Sequence, residues 1–194
     1  WNIGISEAGY EVPKGSRKHS LFAGSIWVGG YDPQGQLKVA AQTYRQDGND
    51  YWPGPLEDND DVSATTCAEW DRFWKVNKAD IIAFRDVMER NGNQSEIEND
   101  TRYDAIREWP ATGNPDAKGI SGTPLQQLQA SKRSYAPFID VNNNGTYEWR
   151  EGDYPGVPSG SEPDLPGDQY IWWVFNDRGN VKQQTQTEAI GLEV

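Results

Sequence analysis

Glycine and proline punctuate this chain so densely that long helices have little room: 20 Gly and 12 Pro are spread over 194 residues. Glycine supplies the positive-φ positions of turns, and proline fixes φ while removing a backbone donor. The chain therefore has to fold as short elements joined by turns. Its core cannot come from long aliphatic runs either, because only 35% of the residues are hydrophobic and the mean hydropathy is -0.87. Such values approach those of disordered sequences. The 9 Trp, 9 Tyr and 5 Phe argue the other way, since each aromatic ring buries a large apolar area. The length suits one large domain or two small ones and is ample for a buried core.

Composition excludes several functions. No apolar run approaches the roughly 18 residues of a membrane-spanning helix, so no transmembrane segment is expected. With 30 acidic against 18 basic residues the formal charge is -12, which makes a nucleic-acid backbone an unfavourable partner. The single cysteine, Cys67, rules out an internal disulfide framework and a Cys-rich zinc site. The single histidine, His19, rules out a multi-His metal centre within the chain. The chain opens on Trp1 and closes on the strand-like Ile190-Gly191-Leu192-Glu193-Val194. Residues 1–194 read as one domain or as an ordered fragment of a longer, processed chain.

Along the chain, Asp32-Pro33-Gln34-Gly35 is a turn between two β-rich segments, Ser20 to Val28 and Leu37 to Tyr44. Asn77 caps a helix from Lys78 to Arg90, with Ile81, Phe84 and Met88 on one apolar stripe and Asn91-Gly92 as its stop. Shorter helical pieces are expected at Arg102 to Glu108 and Leu125 to Ala130. Tyr170 to Phe175 is the most hydrophobic segment; lacking period-2 alternation, it reads as a central strand buried on both faces. The fold class is α+β: mostly short antiparallel strands, sandwich-like or as an irregular sheet, with one clear helix near 78–90 and long loops.

One motif has a chemical reason. Asp140-Val-Asn142-Asn-Asn144-Gly145-Thr146-Tyr-Glu-Trp-Arg-Glu151 fits a twelve-residue calcium loop. Oxygens at positions 1, 3 and 5 converge on a hard cation, and Gly145 permits the sharp turn. Thr146 offers its backbone carbonyl, and a carboxylate closes the shell. The candidate metal ligands are Asp140, Asn142, Asn144, Thr146, Glu151 and Asp153, with either Glu151 or Asp153 as the closing carboxylate. Pro137 before the loop and Gly152 after it argue against flanking helices, so the loop is expected between strand or irregular segments. The ion's role is structural. The acidic run Glu57-Asp58-Asn59-Asp60-Asp61 is a weaker candidate for a second cation.

Flat aromatic rings also stack on sugars. Trp70, Trp74, Trp172 and Trp173 read as core, whereas Trp52 and Trp109, each in a proline-containing loop, are the better candidates for exposed contacts. His19 and Cys67 read as structural residues. No nucleophile with an adjacent base is legible, so no catalytic residue is assigned. A carboxylate pair for glycoside hydrolysis stays open as the alternative.

Several strings in order carry a family resemblance: Leu21-Phe-Ala-Gly-Ser-Ile-Trp-Val-Gly-Gly30, Asp50-Tyr-Trp-Pro-Gly-Pro-Leu56, Trp109-Pro-Ala-Thr-Gly-Asn114, Ala136-Pro-Phe-Ile-Asp140, Gly152-Asp-Tyr-Pro155 and Trp172-Trp-Val-Phe-Asn-Asp177. Together they resemble the N-terminal region of large secreted, cell-surface proteins of Bacteroidota bacteria that end in a type IX secretion sorting domain. The resemblance implies an extracellular or outer-surface location. Asn142 and Asn144 depart from the Asp usual at those loop positions, whereas Asp153 matches. The resulting expectation is a non-catalytic, calcium-stabilised structural or interaction module of a secreted surface or filament-forming protein. Its partners would be other domains of the parent chain or neighbouring copies. The alternative is a carbohydrate-binding or glycoside-hydrolysing module, with a polysaccharide as partner.

Overall fold

Short turns and aromatic residues yield a mixed α+β architecture, in which antiparallel strands form small separate sheets rather than one continuous sheet. The computed structural model describes residues 10–21, 24, 26–41, 51–56, 63–125, 135–158 and 167–177. The chain divides into two compact units, one of Trp1–Trp52 with Phe175–Val194 and the other of Pro53–Val174.

In the larger unit, four helices are described: α1 (Ala64–Trp70), α2 (Lys78–Asn91), α3 (Gln94–Asn99) and α4 (Asp104–Arg107). The sequence predicts one of these clearly and outlines a second, so it undercounts the short ones. Ser63 caps α1, its hydroxyl accepting the Thr66 N–H at 3.0 Å. The predicted boundaries of α2 hold within a residue. It buries Ile81, Phe84 and Val87 on one face, with Met88 packed against the same core. It ends where Gly92 turns left-handed at φ 56° and donates its N–H to the carbonyls of Val87 and Met88. At its start Asn77 has the extended cap backbone, but its side chain donates to Asp80 at 2.6 Å instead of accepting from the helix. The Arg102 to Glu108 piece is a 3-10 turn, Thr101–Tyr103, running into α4.

Strand Trp74–Asn77 pairs antiparallel with Gln169–Trp172, in register Trp74↔Trp172 and Val76↔Tyr170. These four side chains face the core, while Lys75 and Ile171 face solvent. The expectation of a strand buried on both faces therefore fails: this two-stranded ladder covers only one face, and Ile171 is 46% exposed. The unbroken apolar run has another cause. The ladder stops at Trp172, and Trp173 leaves it to meet Phe73 edge-on at 5.6 Å.

Aromatic rings dominate this core. Trp70 stacks on Tyr135 with centroids 5.7 Å apart and meets Trp74 at 5.6 Å. Trp172 touches Trp74, at 5.7 Å, and Trp109, at 6.5 Å. Such pairs contribute about 0.5–1.5 kcal/mol each beyond the area they bury. Trp109 is wholly buried and donates its indole N–H to the Pro137 carbonyl at 3.0 Å, so it is not the exposed contact its loop suggests.

In the smaller unit the predicted hairpin forms from Trp27–Tyr31 and Leu37–Ala41. Asp32 builds its turn: one carboxylate oxygen accepts the N–H groups of Gln34 and Gln36, and Gly35 takes φ 77°. The Tyr51 hydroxyl donates to the Ala40 carbonyl or the Ile26 carbonyl, both within 2.9 Å. Tyr10–Glu11 pairs with His19–Leu21, and between them the Glu11 carboxylate accepts the N–H groups of Gly15 and Arg17. The predicted helical piece Leu125 to Ala130 lies, but for Leu125, outside the described residues.

Two substitutions on α2 test where its apolar face points. Phe84→Ala should cost about 3–5 kcal/mol in urea unfolding, as a large cavity in a fixed core does. Ile82→Ala, at a half-exposed position, should change stability by less than about 0.5 kcal/mol.

Candidate metal centre

The loop from Asp140 to Asp153 is closed at its base by a two-residue ladder, Phe138↔Pro155 and Ile139↔Tyr154. It thus lies between strands, as Pro137 and Gly152 predict, with no helix entering it. Inside, the side-chain oxygens turn toward the loop's own backbone. The two Asp140 oxygens accept the N–H groups of Asn144, at 3.2 Å, and Gly145, at 2.7 Å. Asn142 Oδ1 accepts the Asn144 N–H at 3.1 Å, and Asn144 Oδ1 accepts the Thr146 N–H at 2.7 Å. Gly145 takes φ 79°, the conformation its place in the motif requires, and Asn143 takes φ 58°.

Asp153 is the carboxylate that closes this loop. It is fully buried, and its two oxygens accept the N–H groups of Val141 and Glu148, each at 2.8 Å. Burial pushes its pKa above the ordinary carboxylate value. The nearby charges of Asp140 and Glu148 push the same way, against the two N–H donors. Glu151 is exposed, on the 3-10 turn Trp149–Glu151. Of the two candidate closing residues, Asp153 is the one whose oxygens bond the loop's backbone. The pattern of the motif does not single out Glu148, yet its carboxylate accepts from the Asn144 amide and stands near Asp153.

The next residues fasten the loop to the core. Tyr147 is wholly buried; its hydroxyl donates to the Ile106 carbonyl at 2.7 Å, and its ring meets Phe138 edge-on at 5.3 Å. Its N–H donates to the Thr112 carbonyl at 2.8 Å. Beside that contact Gly113, at φ 82°, approaches so closely that an added Cβ would lie 2.4 Å from Thr146 Cγ2. Trp149 donates its indole N–H to Asp116 at 2.7 Å. Arg150 lies over the Trp149 ring at 4.1 Å and bridges Asp116, at 2.7 Å, and Glu98 of α3, at 3.2 Å. Burial alone would raise the Asp116 pKa. The hydrogen bonds from Trp149 and Arg150 and the Arg150 charge outweigh that and hold it low.

The donors available are two or three carboxylates, two side-chain amides and a backbone carbonyl. Among the described residues no group of three or more His, Cys, Asp and Glu side chains is arranged to hold a metal by itself. Any ion here would have to accept neutral amide and carbonyl oxygens, which suits a hard cation such as calcium and not zinc or copper. The other acidic run, Glu57 to Asp61, lies outside the described residues. No family model, curated protein or solved structure matches this sequence. No helix among the described residues is long and apolar enough to cross a membrane.

Because Asp116 has a lowered pKa, its charge stabilises the fold above the ordinary carboxylate value of 3.8, and that contribution disappears as pH falls through the lowered value. Asp116→Asn keeps an acceptor for Trp149 but removes the charge. Its melting temperature should fall below wild type at pH 7, stay below by a constant margin down to about pH 4, and converge with wild type in stronger acid.

Proposed function

We propose that this chain is a non-catalytic, calcium-stabilised structural or interaction module of a secreted bacterial surface protein. The observation that carries the metal part is Asp153: a fully buried carboxylate that feels the charges of half-buried Asp140 and exposed Glu148. A buried charge beside like charges is costly, and a divalent cation among them would offset that cost. Asp140, Asn142, Asn144, the Thr146 carbonyl and Asp153 would hold the ion. Calcium would neutralise the carboxylates and fix the loop, while the chain's own residues transmit that order. Tyr147 anchors the loop to α4, Trp149 and Arg150 tie it to Asp116 and α3, and the Phe138–Ile139 ladder closes its base.

A structural role also suits how the loop is placed, since every anchored residue leads into the packed core of the larger unit. The location outside a bacterial cell is supported by the ordered strings from Leu21 to Asp177 alone. In this reading the module joins other domains of its parent chain or neighbouring copies.

Thermal unfolding in calcium and in excess chelator tests the metal part. At a calcium concentration about one hundred times the dissociation constant, binding contributes about 2.7 kcal/mol. For a chain of this size that raises the melting temperature by roughly 5–10 °C. Asp140→Ala should lose the response entirely. A wild-type melting temperature indifferent to both calcium and chelator would exclude the site.

A further inference from the structure

The hairpin of the smaller unit presents an uncharged aromatic face to solvent. Cross-strand partners project to the same side of an antiparallel ladder, and sides alternate along each strand. The register therefore puts Trp27, Gly29 and Tyr31 on one face with Ala41, Val39 and Leu37. The opposite face carries Val28, Gly30, Lys38 and Ala40. Ala40 is fully buried there and Lys38 pairs with Asp32 at 3.8 Å, so that side faces inward. On the outer face Trp27 is 67% and Tyr31 77% exposed, and Leu37 is exposed beside them.

Gly29 lies midway between the two aromatic residues. A Cβ there would meet only ordinary contacts, 3.6 Å from the Lys38 carbonyl and 3.8 Å from Val39 Cγ2. Packing does not demand a glycine at this position, and its φ is not left-handed. Its effect is to keep the floor between Trp27 and Tyr31 low. The two Cα atoms are about 13 Å apart along the strand, which leaves a flat, open strip with a ring at each end.

Size and charge select the occupant. Five residues on each of two strands cover roughly 160 Å². Even doubled by the projecting rings, that falls well short of the about 800 Å² per partner of a stable protein interface. Among the described residues no cation stands on the face, and the chain carries a net charge of -12, so acidic polymers are disfavoured. We propose that this face binds a neutral polysaccharide, with pyranose rings stacked on Trp27 and Tyr31 and the sugar chain crossing Gly29. The apolar C–H face of a pyranose matches a flat indole or phenol, and a linear polymer needs only such a narrow strip. Trp52, the exposed-tryptophan candidate that the sequence itself suggests, is not part of this face.

Affinity electrophoresis of the whole chain in calcium tests the assignment. Native gels would contain soluble xylan, galactomannan or mixed-linkage β-glucan, with alginate and polygalacturonate as acidic controls. At least one neutral polymer should retard the wild type. Trp27→Ala and Tyr31→Ala should each weaken that binding roughly tenfold, with circular dichroism unchanged. Phe73→Ala, which removes an exposed ring of the other unit, should bind like wild type. Mobility unaffected by every neutral polymer would overturn the proposal, as would retardation by the acidic polymers alone. Equal retardation of the Trp27→Ala variant would also overturn it. So would a wild-type dimer in sedimentation that Trp27→Ala converts to monomer, because the face would then belong to a second copy.

Discussion

The Asp153 carboxylate holds the most consequential position in the larger unit. It accepts an N–H from each side of the Asp140 loop, Val141 near the entrance and Glu148 near the exit. A single side chain thus fixes the width of a fourteen-residue excursion (Asp140 to Asp153) that has little apolar content of its own. Removing it would leave two part-buried donors without this acceptor, at up to about 1–3 kcal/mol each. Its burial and the nearby charges of Asp140 and Glu148 both work against its ionisation, which is the reason the proposed cation is placed there.

What surrounds the loop converts its order into order elsewhere. Tyr147 reaches α4, Trp149 and Arg150 reach Asp116 and α3, and the Thr112–Gly113 segment lies against Thr146 with no room for a side chain. The core these anchors join is built from rings. Trp70, Trp74, Trp109 and Trp149 are among its largest fully buried side chains. This explains how a chain with a mean hydropathy of -0.87 folds: a few large rings supply the burial that many aliphatic residues supply in other domains.

Periodicity and turn chemistry are local, and what they control was legible in the sequence. The helix beginning at Lys78, its stop at Gly92, the Asp32–Gly35 turn and the Asp140 loop between extended segments all follow from residues within one element. Burial depends on which distant segments meet, and there the sequence misleads. Trp109 looks exposed beside Pro110, yet it inserts among Tyr170 and Trp172 and bonds the Pro137 carbonyl. Tyr170 to Phe175 looks central because its apolar residues run together, but they divide between a ladder and a separate edge-on ring pair. The motif leaves Glu151 and Asp153 both open as the closing residue, and their burial, Glu151 exposed and Asp153 buried on either side of Gly152 at φ 102°, is not legible from the spacing. The exposed face of Trp27 and Tyr31 emerges only from the strand register, since their spacing alone fits a buried strand equally well.

Calorimetric titration of calcium into the ion-free chain bears most directly on the Asp153 account. It should give one tightly bound ion in the Asp140 loop, with Glu151→Gln binding as wild type and Asp153→Asn losing at least tenfold in affinity. Retained binding in Asp153→Asn, together with loss in Glu151→Gln, would contradict the assignment of the closing carboxylate. No heat of binding in the wild type would contradict the metal centre altogether.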